Sequence, residues 1–474
     1  MLPPSRLAIH WFRRDLRVLD NSALHAAAAA ASQVLPVYIR SDWQGSHLWT
    51  GPKRQAFLCR SLASLANNLE TLEGRLIVRS GAADEVLEQL IVESGADALF
   101  FNRDPDPFGR AMELKVEAMA KRLGIACHGY HDVSLHAPGE VLTQEGRPYR
   151  VYTPYSRNWL ALEKPVPLPK PGPLATPAGI PSLPVPAPSQ WGLPDAADGI
   201  LEAGERAALD RLKAAAGGRI QNYGLKRDIP GAAGTSRLSQ DLRFGLLSPR
   251  TVFAKAFKAR AASTSAVERA GVDTFIKELA WREFYFAILW HFPHVLEHEF
   301  SADWRGLAWQ EPGESFEAWK EGRTGFPLVD AGIRELLATG FMHNRVRMIV
   351  AMFLTKDLHL DWRLGEQFFM RHLVDGEIAS NNGGWQWSAG TGADAAPYFR
   401  IQNPWTQSKR HDPDGIYIRR WVPELAGVPS ALLHEAPKSG RPLVPGYPLP
   451  CVDHSTERDR TLAIFKKHRE KSGR

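Results

Sequence analysis

A run of prolines between Glu163 and Pro194 divides this chain into two parts with different patterns. The run reads EKPVPLPKPGPLATPAGIPSLPVPAPSQWGLP, with a proline at nearly every second or third position. Proline has a fixed φ and no backbone N–H, so such a stretch forms neither a helix nor a strand inside a sheet. We therefore predict an extended, semi-rigid linker within residues 136–200, and separate domains before and after it. A proline-rich ligand for a partner protein is the alternative interpretation.

The part before the linker alternates short apolar runs with helical periods. The runs are LAIHWF, VLPVYI, LIVRSG, ALFFN and IACHGY. Strand and helix repeated in this way predict a doubly wound, Rossmann-like α/β domain with a parallel sheet over residues 1–135. No G-x-G-x-x-G follows the first strand, so the sequence does not support a dinucleotide site of the usual kind.

A charged segment follows the first strand instead. It contains Arg13, Arg14, Asp15, Arg17 and Asp20. From charge patterning alone we interpret this segment as a solvated strand end with ion pairs.

The part after the linker, residues 201–474, carries helical signals almost throughout and predicts an all-helical domain. Ser248 and Pro249 are the N-cap and first residue of a helix that runs towards Ala262. The sequence Gly325-Phe326-Pro327 opens another helix, which ends before Gly340.

Composition limits the classes of protein to consider. A chain of 474 residues is too long for one core, and 44% hydrophobic with 23% charged residues is typical of a globular protein. The apolar runs are shorter than a membrane helix, so we expect a cytoplasmic protein with no membrane contact. Cys59, Cys127 and Cys451 have no metal spacing and are predicted to be buried thiols. The net charge of +6 indicates a polyanion partner only weakly.

We expect no metal site. Three histidines lie close together in sequence, at positions 291, 294 and 298, but Pro293 interrupts the helix between the first two.

The stretch from Asp375 to Pro404 is the least like ordinary scaffold. It reads DGEIASNNGGWQWSAGTGADAAPYFRIQNP, with adjacent amides, adjacent glycines and two tryptophans. Asparagine offers a donor and an acceptor to a heteroaromatic ring edge, and tryptophan offers a stacking face. This pattern favours a cradle for a large planar ligand, and a glycine-rich loop with two core tryptophans is the alternative.

Two helical patches accompany this stretch. The spacing i, i+3, i+4 and i+7 gives one helix a polar face of Glu278, Trp281, Arg282 and Tyr285, opposite a core face of Phe275, Leu279, Phe286 and Leu289. A carboxylate beside an indole suits a nucleobase, and a surface ion pair over a core tryptophan is the alternative. The next patch contains Asn344, Arg347 and Met348, from which Arg347 is expected to pair with Asp375.

A turn rich in hydroxyl groups precedes these helices. It contains Gly234, Thr235, Ser236, Arg237, Leu238 and Ser239, with Ser239 as the expected cap of the next helix. Hydroxyls, backbone N–H groups and a helix N-terminus together can hold a phosphate. An ordinary capped turn is the alternative.

Taken together, these blocks resemble the photolyase and cryptochrome family, and most closely its class I cyclobutane pyrimidine dimer photolyases. The resemblance is carried by WFRRDLRVLDN, YRVYTPY, GTSRLS, ELAWREFY, TGFPLVDAGIRELLATGFMHNRVRMIVAMFLTKDL, DWRLGEQFFM and the stretch from Asp375 to Pro404. It implies a light-dependent DNA repair enzyme that splits cyclobutane pyrimidine dimers in UV-damaged DNA. It also implies FAD as cofactor, active in its reduced, anionic form, and a monomer. Enzymes of this family act on nucleotides flipped out of the duplex.

The resemblance assigns roles to residues of this chain. FAD would be held by Tyr223, Thr235, Ser236, Arg237, Leu238, Ser239, Asn344, Arg347, Asp375, Gly376, Glu377 and Asn381, with Asn381 at the flavin N5 edge. The lesion pocket would be lined by Glu278, Trp281, Arg282, Tyr285, Asn344, Arg345, Met348 and Trp387. The DNA phosphates would meet Arg400, Gln407, Lys409 and Arg410. Trp385, Trp362 and Trp309 would form an electron-hopping chain from the flavin to the surface.

The family also implies a second, light-harvesting antenna chromophore near the domain junction. The segment NRDPDPFGR, from Asn102 to Arg110, favours a deazaflavin over methenyltetrahydrofolate. Three other functions stay open: a (6-4) photolyase, which usually has a histidine at the position of Asn344; a signalling cryptochrome; and a plain flavin oxidoreductase. Asn344 and the amide at Asn381 favour repair of cyclobutane dimers.

Overall fold

The structure is a computed structural model that describes residues 5–45, 47–437 and 440–471. Its first part is an α/β domain of alternating strands and helices. These are β1 (Ser5–Phe12), α1 (Ser22–Ala30), β2 (Ala31–Arg40), α2 (Pro52–Glu70), β3 (Ile77–Ser80), α3 (Ala83–Ser94), β4 (Ala98–Asn102), α4 (Pro107–Leu123) and β5 (Ala126–Tyr130).

The five strands form one parallel sheet in the order β3-β2-β1-β4-β5. In the centre of the sheet, Ile9 of β1 pairs with Leu35 of β2 on one side and Leu99 of β4 on the other. Helices cover both faces, which is why the central strands are apolar throughout and do not alternate. The five strands predicted from the sequence, and the doubly wound fold, are confirmed.

The proline-rich segment is extended and packs against the α/β domain. Leu174 accepts a hydrogen bond from Val34 N (2.7 Å) and donates one to Leu72 O (2.7 Å). Leu183 N donates to Val78 O (2.9 Å), and the buried Trp191 indole donates to Ser41 O (3.1 Å). The few backbone groups that proline leaves in this segment are therefore used to attach it to the first domain.

The rest of the chain is helical, beginning with α5 (Tyr152–Ala161), which precedes the proline-rich segment. The helices that follow are α6 (Glu205–Ala214), α7 (Tyr223–Lys226), α8 (Ser239–Arg243), α9 (Pro249–Ala261), α10 (Ala266–His291), α11 (Glu314–Glu321), α12 (Pro327–Thr339), α13 (Asn344–Met352), α14 (Trp362–His372), α15 (Ile378–Ala389), α16 (Pro404–His411), α17 (Ile416–Trp421) and α18 (His454–Lys471). A π-helical turn, Phe353–Asp357, extends α13, and short 3₁₀ helices include Ala302–Trp304.

Two helix boundaries follow from local capping chemistry and are confirmed. The side chain of Ser248 accepts a hydrogen bond from Arg250 N, and α9 begins at Pro249. Helix α12 ends at Gly340, which has φ of 69° and closes the helix through its N–H. The expected cap at Ser239 is wrong, because Ser239 is the first residue of α8 and its side chain makes no capping bond.

The charged segment after β1 is buried between the two domains, so the prediction of a solvated strand end is wrong. Arg14 contacts Asp104 (2.8 Å) of the α/β domain and Glu377 of the helical domain. Asp20 accepts from Arg250 of α9 (2.8 Å). Charges can be buried when each is paired, and two of the partners here, Glu377 and Arg250, lie more than 200 residues away in the helical domain.

Two smaller expectations have different outcomes. Of the three cysteines, Cys59 is buried as predicted, whereas Cys127 on the edge strand β5 is half-buried and Cys451 is exposed, so the prediction is wrong for these two.

Among the described residues, no helix combines the length and the apolar character that crossing a membrane would need.

Candidate functional site

The stretch with two glycines and two tryptophans forms helix α15, although paired glycines cost a helix about 1 kcal/mol each relative to alanine. Close packing explains the first of them. A Cβ added at Gly383 would lie 2.1 Å from a ring carbon of Tyr285, so only glycine lets α15 approach α10 this closely. Gly383 therefore serves helix packing.

A second close contact holds Trp385 of α15 against α14. A Cβ at Gly365 would lie 2.0 Å from Cη2 of Trp385, so the indole rests on the backbone of α14. The ring also meets Phe369 edge-on (centroids 4.9 Å apart, 76° between planes) and is 2% exposed. Its Nε1 has no hydrogen-bond partner among the described residues. Trp385 is thus a rigid, buried indole held by packing.

The other two tryptophans of the expected electron chain lie in or beside the same apolar cluster. Trp362 is fully buried, and its Nε1 donates to Glu299 (3.3 Å). Trp309 is half-buried at the edge of this cluster. The order Trp385, Trp362, Trp309 therefore runs from buried to partly exposed. Electron hopping through them stays a prediction.

One face of α15 borders open space. Asn381 and Gly384 lie three residues apart and share a face, and a Cβ at Gly384 would meet nothing within 4 Å. The Asn381 amide nitrogen donates to Glu366 O (3.0 Å), and its carbonyl oxygen has no partner in the described part of the chain. Trp387 is half-buried, three residues after Gly384, and therefore borders the same open face, on the side of the helix opposite to Trp385.

Behind this face is a buried polar network. Asn382 donates to the Glu366 carboxylate (3.0 Å) and to Val295 O (2.9 Å). Burial raises the pKa of Glu366 to about 7, and the Asn382 bond opposes this shift. Asn382 therefore has a structural role, while Asn381 is the amide with a free acceptor.

Arg347 pairs with Asp375, as the sequence predicts. One guanidinium nitrogen lies 2.8 and 3.1 Å from the two carboxylate oxygens, and Nε donates to Met342 O (2.7 Å). Arg237 lies nearby, with its guanidinium 3.5 Å from the centroid of the Phe341 ring. Its Nε is buried without a partner, and its φ is 57°. A buried cation with an unused donor is suited to an anionic ligand.

Gly376 and Glu377 face the domain junction. Gly376 O accepts from Arg243 Nε (2.9 Å), and the Glu377 carboxylate pairs with Arg14. Both groups are thus engaged by cations, and the Arg14 pair connects the α/β domain to the helical domain. Their expected contact with FAD stays a prediction.

The turn before α8 offers several unused donors. The hydroxyls of Thr235, Ser236 and Ser239 make no hydrogen bond to the described part of the protein, and Ser239 is exposed. Leu238 is buried and fixes the turn to the core. Tyr223 opens α7, with its ring edge-on to Phe275 of α10 (5.7 Å). The turn is therefore positioned by packing, and its hydroxyls are free for a ligand.

The polar face of α10 is built as the sequence predicts for three of its four residues. Trp281 lies 5.7 Å from Tyr285, and Glu278 pairs with Arg227 of the segment after α7. Burial raises the pKa of Glu278, and Arg227 opposes this shift. The core-face residues Phe275, Leu279, Phe286 and Leu289 are all buried.

Arg282 is the fourth residue, and its hydrogen bonds go to the domain junction. It donates to Val133 O (2.5 Å) and Leu242 O (3.3 Å), and its guanidinium lies 4.5 Å from the Phe286 ring centroid. Burial lowers its pKa to about 10. These contacts connect the domains and do not join the Trp281 and Tyr285 patch.

The N-terminus of α13 supplies the second patch. Asn344 is its first residue and is exposed, and Arg345 donates to Asp228 (2.8 and 3.1 Å). Arg345 also lies 3.5 Å from the sulfur of Met348. Because Asp228 follows Arg227, the pair Arg227 and Asp228 connects the Glu278 patch to the Asn344 patch.

Helix α16 carries the basic residues expected to meet phosphates. Lys409 and Arg410 are exposed in its last turn, and Arg400 is exposed in the segment before it. Gln407 accepts from His411 (3.2 Å), whose other ring nitrogen contacts Asp228 O (2.9 Å). The basic helix is thereby attached to the same Asp228 that binds Arg345.

Sequence reasoning missed several residues of this site. Tyr152 of α5 stacks on Trp281 with centroids 3.5 Å apart and 8° between planes, and its hydroxyl donates to Lys277 O (2.8 Å). Tyr152 lies in the motif YRVYTPY, which could have identified it. No sequence pattern marked Arg227 and Asp228, because an arginine next to an aspartate at the end of a short helix is common on protein surfaces.

The donor set fits FAD. A dinucleotide needs donors for two phosphates, which the free hydroxyls and the Nε of Arg237, a donor without a partner among the described residues, supply. It needs an adaptable group beside the ring, which Asn381 supplies next to the open space at Gly384. FAD would bring the light-absorbing redox centre of the site.

Comparisons with known proteins agree with this geometry. Residues 8–173 match the family described as DNA photolyase, and residues 275–467 match the FAD binding domain of DNA photolyase. A relative from Agrobacterium fabrum named deoxyribodipyrimidine photo-lyase is 41% identical, over 96% of this chain and 97% of its own.

Solved structures give the same result. A bacterial class III photolyase from Agrobacterium tumefaciens is 40% identical, with a TM-score of 0.91 over 99% of both chains. A Synechocystis cryptochrome is 29% identical, with a TM-score of 0.88 over 98% of this chain and 99% of its own. This chain therefore belongs to the DNA photolyase family.

Proposed function

We propose that this protein is a deoxyribodipyrimidine photo-lyase, an FAD-dependent enzyme that uses light to split cyclobutane pyrimidine dimers in UV-damaged DNA. Full-length relatives with that name support the assignment. The observation in this chain that carries it is the face of α10. There Glu278 lies one turn from the indole of Trp281, and Tyr285 packs against the helix that presents Asn381.

FAD is the cofactor, and its active form is reduced and anionic. When bound, it supplies the electron that opens the cyclobutane ring after light absorption, and it recovers that electron afterwards. Thr235, Ser236, Ser239 and Arg237 would hold the pyrophosphate, and the pair Arg347 and Asp375 would flank the flavin edge. Asn381 would present its carbonyl oxygen to the ring as a hydrogen-bond acceptor, while its amide nitrogen stays bonded to Glu366 O.

The lesion pocket recognises two stacked, saturated pyrimidines. Trp281 and Trp387 provide apolar faces, each worth about 1–3 kcal/mol per base. Glu278 accepts a hydrogen bond from a pyrimidine N–H edge. Burial raises the pKa of this carboxyl group, and its contact with Arg227 opposes the shift. Tyr152 fixes the plane of Trp281 from one side. The pocket therefore combines a rigid stacking surface with one carboxyl acceptor.

The residue at position 344 supports a cyclobutane dimer as the substrate. Repair of a (6-4) product is expected to need proton transfer from a histidine, and the amide of Asn344 does not titrate near neutral pH. The neighbouring His343 does not substitute for it. Its Nδ1 accepts from Arg345 N (3.2 Å), and burial lowers its pKa to about 4, so it is neutral under working conditions.

DNA lies across the surface formed by Arg400, Gln407, Lys409 and Arg410. These side chains bind phosphates and carry no sequence information, which suits an enzyme that finds lesions in any sequence. The flipped dimer is then stabilised by the Trp281 patch, which offsets part of the cost of unstacking. We propose that the protein does this as a monomer.

A second chromophore is proposed for the domain junction. A cavity of about 440 Å³ lies there between Trp49 of the α/β domain and Trp309, Leu364 and Glu366 of the helical domain. This volume and the aromatic lining suit a heteroaromatic ring system such as a deazaflavin or a folate. Absorption spectra of the purified protein before and after acid release of its chromophores would identify both FAD and any antenna.

The test of the function is selectivity between two lesions. The photoreduced protein should restore cyclobutane thymine dimers in a defined oligonucleotide under blue light and leave (6-4) products unchanged. Glu278→Ala should weaken dimer binding by about 1–3 kcal/mol, since a buried partner loses its hydrogen bond. Repair of (6-4) products alone would overturn the assignment. Repair of neither lesion, with normal flavin photochemistry, would make the protein a cryptochrome.

A further inference from the structure

Three aromatic rings from distant parts of the chain meet beneath the segment that leads into α16. Phe465 of α18 is 2% exposed and lies parallel to Tyr398 (centroids 5.5 Å apart, 6° between planes). Trp304 contacts both rings, at 5.1 Å from Phe465 and 5.7 Å from Tyr398. We call residues 391–403, which include Tyr398, the rim segment. Phe465 is therefore the point where the last helix supports it.

Lys356 connects the same aromatic group to α15. Its ammonium lies 3.9 Å from the Phe465 ring centroid and donates to Ala389 O (2.7 Å), at the last residue of α15. Burial lowers the pKa of Lys356 to about 7, while the helix dipole and the aromatic face both favour its charged form. The end of α15, where the rim segment begins, is thereby fixed to α18 through Phe465.

The rim segment is anchored at both ends. Thr391 O accepts from Ser301 N (3.1 Å), Ala393 and Ala396 are buried, and the side chain of Asn403 caps α16. Between Ala396 and Asn403, where Arg400 and Phe399 are exposed, the ring of Tyr398 packs against Phe465. Movement of Tyr398 would therefore displace Arg400 relative to Trp387 on α15.

We propose that Phe465 of α18 is a positioning residue for DNA binding, which holds the rim segment so that Arg400 and α16 meet the duplex while the lesion enters the pocket. This inference rests on the proposed function, because it takes the rim segment to face DNA. It assigns to the C-terminal helix a part in substrate affinity, although α18 carries none of the lesion-pocket residues.

Helix α18 has anchors that do not depend on Phe465. His454 contacts Asp357 (2.5 Å), and Glu457 contacts His359 (2.5 Å). Thr461 donates to Lys356 O. Replacing Phe465 by alanine should therefore leave α18 bound to the rest of the domain and remove mainly the contact that holds Tyr398. This makes the substitution informative about the rim segment.

The test compares Phe465→Ala with Phe465→Tyr, which keeps the stacked ring. Phe257→Ala removes an exposed phenylalanine of α9 (59% exposed) and is the matched control. Fluorescence anisotropy measures the Kd for a dimer-containing and an intact oligonucleotide. We expect Phe465→Ala to raise both values about tenfold, with Phe465→Tyr and Phe257→Ala near wild type.

Two further readouts separate positioning from general damage. FAD content, the photoreduction rate and the repair yield per flash at saturating DNA should be unchanged in Phe465→Ala, because the lesion pocket is intact. A wild-type Kd in Phe465→Ala would overturn the proposal, and so would loss of FAD together with weaker binding. If Phe465→Ala does not fold, Tyr398→Leu removes the other ring, and a wild-type Kd there would equally overturn it.

These outcomes are distinguishable from failure of the proposed function. Wild-type protein that does not repair cyclobutane dimers refutes the function itself. Wild-type repair combined with a normal Kd in Phe465→Ala refutes only the role of α18.

Discussion

Replacing Gly365 by alanine should displace Trp385 and slow photoreduction of the flavin. The new Cβ would lie 2.0 Å from Cη2 and 2.3 Å from Cζ3 of the indole, whereas ordinary contact begins near 3.4 Å. The ring has no room to retreat, because Phe369 meets its edge at 4.9 Å and Trp319 at 6.2 Å. Helices α14 and α15 must therefore separate by roughly 1 Å.

The effect of Gly365→Ala on the free energy of unfolding is the sum of two opposing contributions. Overpacking a core costs about 1–3 kcal/mol, and alanine in place of a helical glycine returns up to about 1 kcal/mol. We expect a net loss of about 1–2 kcal/mol in the free energy of unfolding. Photoreduction should slow because the indole moves relative to both the flavin and Trp362.

A double-mutant cycle with Trp385→Phe tests this reasoning. Trp385→Phe should keep the fold and abolish or greatly slow photoreduction with an external reductant. The phenyl ring lacks the benzo atoms that clash, so Gly365→Ala should cost little in that background. Denaturant unfolding of the four proteins should give a coupling of about 1–2 kcal/mol. Equal costs of Gly365→Ala in both backgrounds would refute the contact, and normal photoreduction in Trp385→Phe would refute the electron chain.

Three further predictions concern Asn381, the buried acid Glu366 and Arg410 of α16. Asn381→Asp places a carboxylate beside the ring and should make full photoreduction harder, which the visible flavin spectrum under illumination would report; an unchanged spectrum would put Asn381 away from N5. Burial raises the pKa of Glu366 from 4.5 to about 7, so its contribution to stability is present below pH 4.5 and is lost as the pH rises through 7. The free energy of unfolding of Glu366→Gln should therefore rise by about 3 kcal/mol relative to wild type between pH 4 and pH 8. A difference between the two proteins that does not vary with pH would contradict this. Arg410→Ala should weaken binding of damaged and undamaged DNA alike and flatten the plot of log Kd against log salt by about one unit, while an unchanged slope would remove Arg410 from the interface.

The sequence predicts those features that depend on local chemistry. The five strands follow from apolar runs, and the ends of α9 and α12 follow from Ser248, Pro249 and Gly340. The face of α10 follows from helical spacing. These features need only neighbours within a few turns, so their residue patterns are visible in one short window.

Features that depend on distant partners could not be predicted. The segment from Arg13 to Asp20 looks solvated in isolation, yet its partners Glu377 and Arg250 come from the other domain. The paired glycines of α15 indicate a loop by propensity, yet they lie in a helix that packs Gly383 against Tyr285 of α10 and Trp385 against Gly365 of α14. The stack of Tyr152 on Trp281 joins helices from the two sides of the proline-rich segment. In each case contacts between distant parts of the chain determine the structure, and the local sequence pattern does not show them.

The central claim is that light drives repair without net consumption of electrons. The decisive measurement is a series of single flashes on the photoreduced protein saturated with an oligonucleotide containing one cyclobutane thymine dimer. We predict that each flash restores a constant fraction of dimers and leaves the absorption spectrum of the reduced flavin unchanged, with no repair in darkness. Flavin oxidation in proportion to the dimers repaired, or repair in the dark, would contradict the account.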